Sequence, residues 1–507
     1  MNRNLFRRLS WSLPALVIGG FAALPAVAQT SASLHGFTPF TENDGSNPNG
    51  GMVLAGSVLY GTTGNGGSNF TGTIFRVNTD GTGYTNLYTF SATVYQVITN
   101  TEGGGGIGIG GGGGREGGSP TNTDGTRPNG GLVLSGNTLY GTAQSGGFGG
   151  YGAIFAIHTD GSGFTNLHSF STATTFPTNS DGLNPNAGLV LSGNTLFGTT
   201  RQGGSLGWGT VFRINTDGSG LTELKAFAGL AMDPVSYIYG NDDGAEPQTH
   251  LVLADGTLYG TTSQGGNLGG GTLFSLSTNG TGFASLHAFS TYVDGGIPNA
   301  LTIAGTALYG TASQGGANIG GTVFSINTNG TGFALLHSFA YDADGYNPTA
   351  DVIIASNLIY GAAGSDGNNY AGTIFKMSLD GSNFGTLYTF SAPNLNTNVE
   401  GTGPNGFLLA GSVIYGTAAY GGATGNGAVF SLNLAVVAAP ALNITSQGTS
   451  AILTWSTTAA DYTLQSTPNL APPVVWGTVT PAPVIVNGLE TVTNPVAGNL
   501  MFYRLIK

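Results

Sequence analysis

Short apolar segments of three to six residues, separated by glycine-rich polar stretches, recur along most of this chain in a fixed rhythm. The stretch from Gly130 to Phe170 shows the unit: Gly-Leu-Val-Leu, then Thr-Leu-Tyr-Gly-Thr, then Gly-Ala-Ile-Phe, then Asn-Leu-His-Ser-Phe. An aromatic marks the second segment at Tyr60, Tyr140, Phe197, Tyr259, Tyr309, Tyr360 and Tyr415, and another follows 15 residues later at Phe75, Phe155, Phe212, Phe274, Phe324, Phe375 and Phe430. Apolar runs of this length, rich in β-branched and aromatic residues and bounded by Gly, Asn, Asp and Ser, read as short strands. Each unit is therefore predicted to hold four, named a, b, c and d in chain order. Ser-Gly-Asn links a to b and Thr-Asp-Gly-Ser-Gly links c to d, sequences that accept the positive φ of tight hairpins.

A four-stranded antiparallel unit repeated seven times at a spacing of 50 residues or more predicts a β-propeller, in which neighbouring sheets bury each other's faces. A parallel β-helix would need coils of about half that length. The last copy stops after strand c near Phe430, whereas Ser33-Leu34-His35-Gly36-Phe37 near the N-terminus matches Asn166-Leu167-His168-Ser169-Phe170. A displaced strand d of this kind would complete the last sheet and leave no open edge. The expected fold class is all-β: a seven-bladed β-propeller over 29–434 closed by an N-terminal strand, followed by a small β-sandwich.

The repeats resemble the bacterial GloVer-type tandem repeat (choice-of-anchor) proteins, whose units read Gly-Leu-Val, Leu-Tyr-Gly-Thr-Thr, Gly-Gly and Gly-Thr-Val-Phe; the resemblance covers roughly Ser33 to Leu434. It implies an extracellular or cell-surface protein whose repeats precede one of several interchangeable anchoring or sorting modules. It brings no catalytic residue with it. The end of this chain carries neither a terminal apolar run nor a basic tail beyond Lys507.

The two ends differ from the repeats. Arg3, Arg7 and Arg8, an apolar run from Leu13 to Leu24 and the Ala26-Val27-Ala28 site predict a signal peptide over 1–28, with no transmembrane segment in the mature chain. After Leu434 an Ala/Val/Pro linker over 435–440 leads into 441–507, where alternating segments such as Ala451–Trp455, with Trp455 and Trp476, predict an immunoglobulin- or fibronectin-like sandwich. The 24 acidic residues outnumber the 12 basic ones, and three of the basic residues lie in the leader. This balance excludes nucleic acid as a partner. The chain has no cysteine, so disulfides and thiolate metal sites are excluded as well.

Candidate chemistry is sparse. Gly203-Gly204-Ser205-Leu206-Gly207 matches a nucleophile-elbow pattern but falls in a b-to-c loop, where no strand-to-helix elbow can form. His35, His168, His287 and His337 share one slot in strand d, filled elsewhere by Tyr88, Lys225 and Tyr388, and are read as packed or surface residues spread around the ring rather than as a shared metal site. A carboxylate precedes strand a in every copy, at Asp44, Asp124, Asp181, Asp243, Asp294, Asp344 and Glu400, mostly within an acid-Gly-x-x-Pro turn. Turn chemistry accounts for them. If they gather at the mouth of the channel lined by strand a, their summed field would also suit calcium or a polyhydroxyl ligand. The d-to-a connections vary in length while the other spacings do not, which puts variable loops on one face of a rigid scaffold. The expected function is a secreted or surface noncatalytic protein that binds a glycan, cation or protein partner, such as a cell-envelope polysaccharide, through that face. The alternative is a carbohydrate-active lyase or hydrolase using symmetry-breaking acids such as Glu102, Glu116, Asp233 or Asp242.

Overall fold

The computed structural model describes residues 31–38, 44–94, 120–172, 177–235, 237–340, 344–348, 350–364, 371–434, 442–447, 450–456, 463–467, 475–487, 489–495 and 502–506. The expected leader over 1–28, the linker over 435–440, the glycine run at 103–114, and Glu102 and Glu116 all lie outside them. Among the described residues every regular element is a β-strand, and no helix is long and apolar enough to cross a membrane. Gln29–Leu434 forms one compact unit, and Ala435–Lys507 falls outside it.

Within the first unit the predicted a, b, c and d segments form seven four-stranded antiparallel sheets. In the second repeat they span Val133–Ser135, Thr138–Ala143, Ala153–His158 and Thr165–Ser169, in spatial order d-c-b-a. The Leu-Tyr-Gly-Thr motif has a packing logic. Leu139 is fully buried, and Gly141 pairs with Phe155 across strands b and c. A Cβ at Gly141 would come within 2.6 Å of the Phe155 ring, so the glycine is what lets that ring lie across the sheet. The buried Thr142 hydroxyl then donates to the Ala187 carbonyl of the next repeat at 2.8 Å.

Each d strand carries one extra residue opposite strand c, a β-bulge at Leu167 in the second repeat. The bulge sends Leu167 toward Gly218, in the c-to-d turn of the following repeat. Sheets adjacent in sequence share one apolar core. Tyr60, Ile74 and Phe90 of the first repeat pack with Leu132, Leu139 and Phe155 of the second. The last and first sheets share a core of the same kind, with Tyr415 and Val429 against Met52, Leu59 and Phe75. Face-to-face packing of four-stranded antiparallel sheets in chain order makes this a repeat protein of β-propeller type.

Ser31–Gly36 pairs antiparallel with Ala428–Asn433, from Ser31 opposite Leu432 to Gly36 opposite Ala428, and bulges at Leu34. Phe37 is fully buried, and its N–H donates to the Gly427 carbonyl at 3.1 Å. The same bond joins Phe90 to Gly72, Phe170 to Gly152 and Phe227 to Gly209, each within one repeat.

The C-terminal unit holds a four-stranded sheet around Ser450–Ser456 and a three-stranded sheet around Thr463–Thr467. Trp455, Leu453 and Val492 of the first sheet share a core with Leu464 of the second.

Candidate functional site

Every repeated carboxylate folds back on the strand d that precedes it in the chain and meets the residue in the histidine slot. Asp181 lies 2.9 Å from His168 Nε2, Asp294 lies 2.7 Å from His287 Nε2, and Asp344 lies 2.9 Å from His337 Nε2. Asp44 is 3.3 Å from His35 Nε2 and accepts from the Tyr84 hydroxyl at 2.7 Å. The Lys225 ammonium reaches Asp243 at 2.5 Å, and the hydroxyls of Tyr88 and Tyr388 donate to Asp124 at 2.7 Å and to Glu400 at 3.1 Å. Backbone N–H groups just past strand d complete the clips, Ser171 to Asp181 at 3.0 Å and Ser91 to Asp124 at 2.9 Å among them.

The slot residue also stacks on the next repeat. His35 lies flat on Tyr84 with centroids 3.5 Å apart, Tyr88 on Phe164 at 3.9 Å, His287 on Phe333 at 3.8 Å and His337 on Phe384 at 3.7 Å. Lys225 sits over the Phe283 ring at 4.7 Å. Histidine, tyrosine and lysine interchange here because each offers a polar hydrogen at its tip and a surface that an aromatic face attracts. Burial alone would raise the Asp181 carboxyl, but hydrogen bonds from His168 and Ser171 outweigh it and hold the group below the usual carboxylate range. At Asp44 burial is likewise outweighed, by bonds from His35, Tyr84 and Thr38. Burial lowers His337, against the opposing pull of Asp344.

The acids therefore do not crowd the channel mouth. They clip to strand d, the edge of the sheet remote from strand a, in seven separate pairs. The reason is geometric. Passing from strand d to strand a crosses three interstrand gaps, about 14 Å, and five extended residues cover at most about 18 Å. The five residues from Asp44 to Asn49 are used up in that crossing, so the end of the turn reaches the centre and the acid does not.

What reaches the centre is the residue after the turn proline. A cavity of about 350 Å³ is lined by all seven connections, with Asn49, Asn129, Asn186, Gln248, Asn299 and Asn405 contributing carboxamides. Asn129 donates to Asn186 at 3.4 Å and Asn405 to Asn49 at 3.3 Å, while the buried Asn405 Oδ1 has no partner among the described residues. The connections pack backbone to backbone: a Cβ on Gly50 would lie 2.7 Å from the Gly130 carbonyl, and one on Gly406 would lie 2.6 Å from that of Gly50. One sector departs from this neutral lining, where His250 Nδ1 faces Asp351 at 3.5 Å. The sequence did carry the signal, since six of the seven turn prolines are followed by Asn or Gln. Reading the turn only as far as its proline missed it.

The remaining candidates resolve individually. Ser205 is exposed and donates its hydroxyl to Glu223 at 2.8 Å. The Asp233 carboxylate accepts from the Val235 N–H at 2.7 Å, and the Asp233 backbone pairs with Ile238, so this acid shapes a turn. In the c-to-d turns Asp160 accepts from the hydroxyl and N–H of Ser162, and Asn329 does the same with Thr331. Among the described residues no three His, Asp or Glu side chains converge as a metal ion requires.

Residues 117–307, 231–430 and 304–464 match the family described as Gloeobacter/Verrucomicrobia repeat. Comparison with curated proteins finds no match. Similar solved structures include an oligogalacturonate lyase in complex with manganese, at 11% identity and TM-score 0.46, covering 80% of this chain and 97% of that one. A second oligogalacturonate lyase, from Vibrio parahaemolyticus, is 8% identical with TM-score 0.42 and the same coverages, 80% and 97%. A nidogen/laminin complex contributes a chain 16% identical, with TM-score 0.35, covering 66% of this chain and 92% of that one.

Proposed function

The chain belongs to the Gloeobacter/Verrucomicrobia repeat family, and from that premise we propose that it is an exported, noncatalytic protein that binds a neutral glycan at the mouth of its central cavity. In this reading the seven sheets are the blades of one ring, closed by the strand at Ser31–Gly36. The segment over 1–28 is a cleaved leader, and 441–507 is an immunoglobulin- or fibronectin-like module that sorts or attaches the ring.

The observation that carries the reading is the convergence of six carboxamides on one cavity of about 350 Å³. Each carboxamide both donates and accepts, as sugar hydroxyls do. The cavity falls within the size range of small-ligand sites. A formal charge of −12 disfavours anionic polymers. The seven acids serve as clips that hold neighbouring blades together.

The test is retention of the mature protein on a panel of neutral polysaccharides, compared with a variant carrying Asn49→Ala, Asn129→Ala and Asn186→Ala. Retention should fall at least tenfold in the variant. Equal retention of the two proteins, or none for the wild type, overturns the proposal. Release of soluble products by the wild type supports the enzyme reading instead, for which His250 and Asp351 are the one titratable pair in the lining.

A further inference from the structure

The ring's symmetry is broken where its third and fourth d-to-a connections meet. The third carries a two-stranded ribbon, Ala231–Met232 paired with Tyr239–Gly240, whose turn is tied by the Asp233 carboxylate and backbone. The fourth, from Phe289 to Leu301, is the shortest of the set. The ribbon beside the short connection leaves a groove of about 290 Å³ over the b-to-c loop at Gln264–Gly269. It shares no lining residue with the central cavity.

Leu230, Ile238 and Leu268 give the groove an apolar surface, flanked by Tyr239 and Tyr292, whose exposures are 60% and 87%. Among the described residues the hydroxyls of Tyr239, Ser290, Thr291 and Tyr292 have no partner. No charged side chain lines the groove. Ten residues line it, fewer than the roughly 20–30 per side of a stable protein interface, whereas its volume approaches that of small-ligand sites.

We infer that this groove is a second binding site that takes one or two sugar units of a neutral oligosaccharide. A pyranose has an apolar C–H face and an edge of hydroxyls. Its face meets the tyrosine rings and the Leu230–Leu268 surface, and its edge meets the four free hydroxyls. Tyrosine suits the task because its ring is a large, rigid apolar body with a polar tip. A uronate or phosphorylated sugar finds no cation in the lining to neutralise it.

Calorimetry on the mature protein with cellohexaose, maltohexaose and mannohexaose, and with polygalacturonate as the anionic probe, tests the site. At least one neutral hexasaccharide should bind. The Tyr239→Ala/Tyr292→Ala variant should weaken it tenfold or more, and Tyr239→Phe/Tyr292→Phe, which keeps both rings and removes two of the four hydroxyls, should weaken it by less than the double Ala change. Both tyrosines are exposed, so folding should survive either change. The Asn49→Ala/Asn129→Ala/Asn186→Ala variant should retain binding here, which separates this site from the central mouth. No heat from any neutral probe, undiminished binding in the double Ala variant, or preference for polygalacturonate overturns the inference.

Discussion

Replacing Phe37 by Ala is the sharpest probe of the proposed closure. Phe37 is fully buried and sits edge-on to Phe75 with centroids 5.3 Å apart, within the core shared by the first and last sheets. Phe170 occupies the matching place one repeat into the chain, also fully buried, 5.7 Å from Phe212. Truncating a buried Phe to Ala costs about 3–5 kcal/mol, so both variants should lose that much. With an unfolding entropy of roughly 2 cal/mol/K per residue over the unit from Gln29 to Leu434, the loss corresponds to a fall in Tm of about 4–6 °C for a cooperative unit. Scanning calorimetry of the two variants side by side makes the comparison independent of the absolute scale. Hydrogen exchange at Ala428–Asn433 should accelerate in Phe37→Ala and not in Phe170→Ala, because the local opening lies beside the lost side chain. If the N-terminal segment only rests on the ring, Phe37→Ala will shift Tm by less than a third as much as Phe170→Ala, and the closed-ring argument fails.

Two further outcomes follow from the clips. His287→Tyr should leave stability within about 1 kcal/mol, since tyrosine fills the same slot at 88 and 388, whereas His287→Ala strands the Asp294 carboxylate at a cost of about 1–3 kcal/mol; equal urea midpoints for the two variants would argue against the clip. Asp44 and Asp181 are held below 3.8, so their contribution is complete above that pH and is lost as pH falls through the folded-state values, while His337, lowered from 6.5, begins to favour the unfolded chain as pH drops below 6.5. Urea midpoints should therefore decline slightly from pH 7.5 to 5.5 and steeply below pH 4, and a flat profile down to pH 3 would contradict the assignment.

The strands were legible because their signal is local. Tyr140, Gly141 and Phe155 sit on facing strands of one hairpin, so a constant sequence spacing becomes a constant contact. The N-terminal strand was legible for the same reason, since Leu34, His35 and Phe37 repeat the spacing of Leu167, His168 and Phe170. The site was harder to read because it depends on how far a connection travels across the sheet. Asp181 and Asn186 are five residues apart, yet one lies against strand d and the other lines the cavity shared by the seven connections. The pairing of slot and acid has no fixed spacing either: His287 and Asp294 are seven residues apart, Tyr88 and Asp124 are 36. The groove beside Tyr239 and Tyr292 arises from two connections of unequal length, which a search for shared features passes over.

The pairing of Ser31 with Leu432 sets an order of events for a chain made from its N-terminus. The first strand to emerge is the last to find its place, because its partner is the final strand c, some 400 residues away in sequence. Until that partner arrives, the segment around Phe37 has no sheet to join, and the core between the first and last sheets lacks one wall. Contacts this distant in sequence form slowly. The first and last sheets therefore cannot complete their shared core until the last repeat is present, so the late-pairing seam acts as a timer as well as a fastening.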